Sequence, residues 1–288
     1  MDSEDPDPSR IYQAFRWLVF RIGKTRWLGW KHFPFVVTWA AESRSIDLNE
    51  VLLEALPRAQ AGDVLLHRDR GFLGNVAIGG AMVHAGLYVG GDQVVEAVAE
   101  GVLRRHAAHI LFSDYAMIVR PVFDAPAARE LAIREALGWA ERIVGFPYDP
   151  LFRFGCRRQR ELILHEGRER AVQRKVRFCC TKVPYFCYFD RIEELGLKRR
   201  RATTWLHRAL SWVGLHPGRT VVDADMYVHG RFELVWASRK TTPEWARRRR
   251  SRPEYVRKLE EYWAREAASG SSAGAGRAAG ATTSVTTP

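Results

Sequence analysis

Cysteine is scarce in this 288-residue chain: Cys156, Cys179, Cys180 and Cys187 are the whole complement. So few thiols, all in one stretch, exclude the disulfide framework of a small secreted scaffold. Neither a C-x-x-C pair nor a histidine pair at zinc spacing accompanies them, which argues against a structural metal site. Long apolar runs are missing too. The segment Trp17 to Phe20 is cut by Arg16 and Arg21, and nothing approaches the length that spans a bilayer. The opening MDSEDPDPSR is acidic and proline-bearing, the opposite of a signal peptide's basic start and apolar centre. Together these absences point to a cytoplasmic protein with reduced thiols.

What is present is the composition of a soluble globular chain, 47% apolar and 27% charged, long enough for a substantial core. The formal charge of +12 invites a nucleic-acid reading. Much of that charge, however, lies in RRQRELILHEGRERAVQRKVR (157–177), KRRR (198–201) and RRRRSR (247–252), the first interleaved with glutamates as on a solvated helix face. No zinc-finger, RNP-like or helix-turn-helix signature accompanies it, so sequence-specific nucleic-acid binding is not expected. Residues 9–31 place Ile11, Phe15, Leu18 and Ile22 on one helical stripe, with arginines and lysines largely elsewhere. Such a helix suits either packing on the domain or, through residues 10–30, peripheral contact with an anionic membrane at the inner face.

A second helix is predicted over 47–58, and from residue 61 the period becomes that of strands. GDVLLH (62–67), MVHAGLYVG (82–90), QVVEAV (93–98), GVLRRH (101–106) and YAMIVRP (115–121) are short, β-rich and separated by turns. A helix follows over 125–145, then the loop FPYDPLF (146–152), then a basic helical stretch up to 177 that reads as a lid or insertion. Helices are predicted over 180–196 and 203–214, and a last strand over 231–236. The order is α+β, an antiparallel sheet packed against helices. It divides into a helical extension (1–58), a central domain (59–238), a basic helix (239–266) and a compositionally flexible tail (267–288).

Chemistry enters with RFCCTKVPYF (177–186), where two cysteines stand before a helix. A buried thiol is the commoner case; a histidine to take its proton and a polar group to orient that histidine would change the reading. In MVHAGLYVG, His84, Gly86 and Tyr88 share one face. If the turn is the three residues Gly90, Gly91 and Asp92, Glu96 falls opposite Gly86 and diagonal to His84. A two-residue turn would send it to the other face. The hairpin thus supplies a base and its orienter, given an odd loop. A cysteine at the start of the next helix would feel the helix dipole, which favours the thiolate. His67, His106 and His109 lie near strand ends without motif support, and Cys156 and Cys187 read as structural.

The motifs GDVLL, HAGLYVGGDQVVEA followed by GV, VRP, GFPYD, FCCTKV and VDADMY with FELV occur in the order of a known group. Over roughly residues 60–236 the chain resembles the permuted papain-like cysteine hydrolases of the NlpC superfamily, in its YiiX-like branch. The resemblance implies a circularly permuted papain-like fold with the cysteine at a helix N-terminus and a triad of His84, Glu96 and Cys180. Thr181 and Lys182 match the two positions after the family's cysteine, which favours Cys180 over Cys179. Pro184 departs from the pattern, as do the N-terminal extension and the basic insertion. The implied activity is hydrolysis or acyl transfer at an amide, ester or thioester carbonyl of a small-molecule, lipid or peptide substrate, with no metal or organic cofactor. The rival readings are a non-catalytic binding module on the same fold and a basic protein of membrane surfaces or nucleic acid.

Overall fold

The computed structural model describes residues 44–70, 80–149, 156–197, 224–249 and 251–278, together with four two-residue strands outside them. One of those strands, Arg26–Trp27, pairs antiparallel with Val37–Thr38. Residues 26 and 27 are thus extended, so a helix over the whole of 9–31 does not form. The remainder of residues 10–30, and the helix predicted over 203–214, lie outside the described residues.

Six strands make the central sheet: β1 (Val64–Arg68), β2 (His84–Gly90), β3 (Gln93–Val98), β4 (Gly101–His106), β5 (Tyr115–Pro121) and β6 (Phe232–Ala237). Their order is β6-β5-β1-β2-β3-β4, and every pairing is antiparallel. Both faces are covered, which is why the central strands read as nearly unbroken apolar runs. One face, with Val64, Leu66, Ala85, Leu87 and Val95, packs against the long helices in a single large core. The other, with Leu65, Val94, Ile118 and Trp236, packs against α1, a π-helical stretch at Glu50–Ala55, and α2 (Ala108–Leu111). The chain is therefore an α+β protein built on a six-stranded antiparallel sheet.

The helices on the large core are α3 (Pro126–Ile143), α4 (Cys156–Gln173), α5 (Lys182–Cys187), α6 (Met226–His229), α7 (Pro243–Arg248) and α8 (Pro253–Ala278). Basic α4 is kinked at Gly167, where φ is 76°. Its Arg160 donates to the carbonyls of Phe186 and Cys187 at 2.8 and 3.1 Å and stacks on Trp139, 4.3 Å from the ring centroid. Those two carbonyls would otherwise serve the next turn of helix. The single helix expected over 180–196 accordingly stops at Cys187 and resumes as a 3-10 turn at Phe189–Arg191. Toward the C-terminus α8 runs through the alanine-rich start of the compositionally flexible tail, seeded by buried Tyr255, Leu259 and Tyr262.

A buried ion pair ties the sheet together. Asp63 accepts from Arg120 on both carboxylate oxygens, at 2.9 and 2.8 Å, and from the Gln60 N–H at 2.7 Å. Burial still raises the Asp63 carboxyl above its ordinary value, with Arg120 opposing. Removing either partner therefore strands the other, while removing both need not. We expect Asp63→Ala and Arg120→Ala each to cost about 3 kcal/mol in denaturant unfolding. The double variant should cost clearly less than their sum, and a strictly additive pair would contradict this account.

Candidate active site

The β2–β3 hairpin settles the placement of His84 and Glu96. Gly90 pairs with Gln93, so the turn proper is the two residues Gly91 and Asp92, with φ 57° and 56°. Such a turn alone would place Glu96 on the wrong face. The register shifts between Tyr88 and Gly90, leaving Val89 as an extra, bulged residue. That bulge restores the odd count and sets Gly86 opposite Glu96. Glu96 then lies diagonal to His84, and its Oε2 is 2.6 Å from His84 Nε2. Gly86 does not open the site: a Cβ there would come within 2.6 Å of Ile110 Cδ1, so the glycine admits α2.

Cys180 sits in the turn that leads into α5. Lys182 N–H bonds the Cys179 carbonyl and Val183 N–H the Cys180 carbonyl, at 3.1 and 3.2 Å. Pro184 is tolerated because it lies in the first turn of that helix, where its missing N–H has no partner to lose. The thiol donates to the Val83 carbonyl at 3.8 Å and lies close enough to His84 for each to favour the other's charged form. Since Nε2 faces Glu96, Nδ1 is the ring nitrogen left to exchange a proton with sulfur. Burial opposes charge on both partners. The thiolate–imidazolium attraction outweighs it, holding Cys180 below its ordinary value and His84 up at about 10. The N–H groups of Thr181 and Ala85 add to the stabilisation of the thiolate. With α5 only six residues long, these local groups take the part that the sequence assigned to a helix dipole. Despite its burial, Glu96 is held below its ordinary value by His84 and Arg105.

Cys179 is in a different environment. Its Sγ is 3.8 Å from Thr181 Oγ1, and burial together with the neighbouring Cys180 drives its thiol far up. Cys187 is likewise raised by burial. Cys156 is buried in the core, so neither it nor Cys187 enters the site.

Four residues in or around the site were not assigned to it from the sequence. Tyr148 lies in the loop FPYD, where Asp149 N–H bonds the Phe178 carbonyl at 2.8 Å and Phe178 N–H the Pro147 carbonyl at 3.1 Å. That short parallel bridge brings Tyr148 near Cys180, and burial together with the thiol raises its hydroxyl well above the ordinary value. His67, paired with His84 across β1 and β2, packs edge-on against it with ring centroids 4.7 Å apart. Burial keeps His67 neutral. Asp225 accepts from Ala81 and Met82 N–H at 2.7 and 2.8 Å, fixing the entry to β2. Nearby, Tyr227 donates to the Thr181 carbonyl at 2.6 Å and fixes the cysteine turn. Tyr148, Asp225 and Tyr227 stood in the motifs GFPYD and VDADMY without an assigned role, and the place of His67 opposite His84 follows from strand register.

His84 and Glu96 open onto a cleft of about 380 Å³ that Tyr148 and His67 also line. Among the described residues no group of three or more histidine, cysteine or acidic side chains is placed to hold a metal. Nor is any of their helices long and apolar enough to cross a membrane.

Sheet and site together define an α+β protein in which a buried thiol neighbours an imidazole and carboxylate pair that opens onto a cleft. Comparison of the chain with family models and with curated proteins finds no match. Among solved structures it is similar to the crystal structure of the metalloprotein YiiX from Escherichia coli O157:H7. The TM-score is 0.44 at 16% identity, covering 62% of this chain and 97% of that one.

Proposed function

We propose that the protein is a cysteine hydrolase or acyltransferase of the permuted papain-like kind, acting on an amide, ester or thioester carbonyl. The observation that carries the reading is the position of His84, bonded through Nε2 to the Glu96 carboxylate and near enough to Cys180 to favour its thiolate. The histidine and carboxylate come from a hairpin that precedes the cysteine turn. Triads are recognised by such roles rather than by sequence order.

The chemistry then follows. The Cys180 thiolate attacks the carbonyl carbon, and the carbonyl π-electrons move to oxygen. The Cys180 N–H and the Tyr148 hydroxyl are the donors we assign to that oxyanion. As the tetrahedral adduct collapses, His84 gives its proton to the departing amine, alcohol or thiol, leaving an acyl thioester on Cys180. The now neutral His84 takes a proton from water or another acceptor, whose attack releases the acid or the transferred product and restores the ion pair. Glu96 keeps the imidazole oriented and favours its charged form throughout. Turnover of a panel of acyl esters, acyl-amino acids and acyl lipids tests the reading. At least one class should be consumed by the wild type and left intact by Cys180→Ala. Equal turnover by both proteins would refute it.

A further inference from the structure

Beyond His84 the cleft is walled by β3, β4 and α2, and its charges are unevenly committed. Strand alternation sends Arg104 and Arg105 to opposite faces. Arg104 pairs with Glu141 of α3, away from the cleft, whereas Arg105 lines it. Among the described lining residues Arg105 is the one permanently charged cation; the other basic groups are imidazoles. Its Nη1 is 3.5 Å from Glu96 Oε1, well beyond the 2.7–2.9 Å of a strong charge-assisted bond. A guanidinium carries five donors in a planar fork matched to a carboxylate, and 35% of this side chain is exposed. His109 stands in the same wall, close enough to Glu96 to favour its ionised form.

We infer that Arg105 is a specificity-determining residue of the cleft, binding a carboxylate carried by the acyl substrate. The inference rests on the proposed chemistry at Cys180 and names the substrate class for that site. A monoanion fits better than a phosphate dianion. Glu96, Asp69 and Glu100 line the same space, and each adds repulsion that a second negative charge would double. One guanidinium with a long existing pair has the donors to hold one carboxylate.

Two alkylating probes of equal length and equal electrophile read this directly: N-bromoacetylglycine, with a carboxylate, and N-bromoacetylglycinamide, without charge. The measured quantity is the ratio of their rate constants at Cys180, divided by the same ratio for free glutathione. The wild type should prefer the anionic probe about tenfold, a modest part of what a charge-assisted pair supplies. Arg105→Gln should bring the ratio to about one, Arg105→Lys should keep part of the preference, and Arg105→Glu should invert it. An unchanged ratio in Arg105→Gln, or in Arg105→Glu should the first variant fail to fold, overturns the inference. Protection of Cys180 by inorganic phosphate exceeding that by N-acetylglycine, at equal ionic strength, overturns the choice of a carboxylate. Iodoacetamide serves as the separate control. If Cys180 is no more reactive toward it than glutathione, the proposed chemistry fails rather than the role of Arg105.

Discussion

Replacing Cys180 by serine is expected to lower turnover by roughly four orders of magnitude or more, while Cys179→Ser keeps most of it. The two side chains are neighbours in sequence and opposites in environment. Cys180 faces His84 and receives N–H groups from Thr181 and Ala85, all of which favour the thiolate. Cys179 is buried beside Cys180, whose negative charge adds to the cost of ionising it. A hydroxyl at position 180 is far less acidic than a thiol and would leave His84 without its anionic partner. Iodoacetamide at mildly acidic pH should therefore modify Cys180 first, as read by peptide mass mapping. If Cys179→Ser is instead the inactive variant, the nucleophile is one residue earlier than assigned. Full activity in both variants would remove the cysteine from the mechanism.

Glu96→Gln should cut turnover about 10²- to 10⁴-fold without unfolding the protein. Glutamine keeps the length and the hydrogen bond of the side chain but removes the charge that stabilises the imidazolium. The sign of the pH effect follows from the two shifts. In the wild type the ion pair exists above the depressed Cys180 value and below about 10, where His84 gives up its proton. Reactivity should fall as pH drops through the first and turnover should fall as pH rises through the second. Without the carboxylate, His84 loses its proton at lower pH, and the thiolate, less well paired, forms at higher pH. The window narrows from both sides. The midpoint of iodoacetamide alkylation should rise by about one unit, equivalent to about 1.4 kcal/mol of lost pairing. An unchanged midpoint in Glu96→Gln would mean that the 2.6 Å contact carries no electrostatic work.

Most of the sheet was legible in the sequence, because strand alternation and glycine turns mark β2 to β5 almost residue by residue. The pairing of Glu96 with Gly86 followed from counting residues around the turn, yet the turn that achieves it differs. Two residues at positive φ and a bulge at Val89 do what three loop residues were expected to do, and local sequence does not distinguish the two. Long-range contacts decided the rest. The break after Cys187 depends on Arg160 reaching across from α4, and the entry to β2 depends on Asp225, more than 140 positions away in sequence. Tyr148 reaches Cys180 only through the backbone bridge to Phe178, so nothing periodic announced it. In each case the deciding partner is remote, and propensity and period describe only neighbours.

The most direct test of the central claim is to trap the acyl-enzyme. A substrate consumed by the wild type is mixed with it, quenched in acid within the first turnovers, and the protein is digested and mapped by mass spectrometry. The account predicts a hydroxylamine-labile acyl thioester on Cys180, absent from Cys180→Ala and slow to form in His84→Ala. Rapid product formation with no adduct under conditions that stabilise thioesters, or an adduct on any residue other than Cys180, would contradict it.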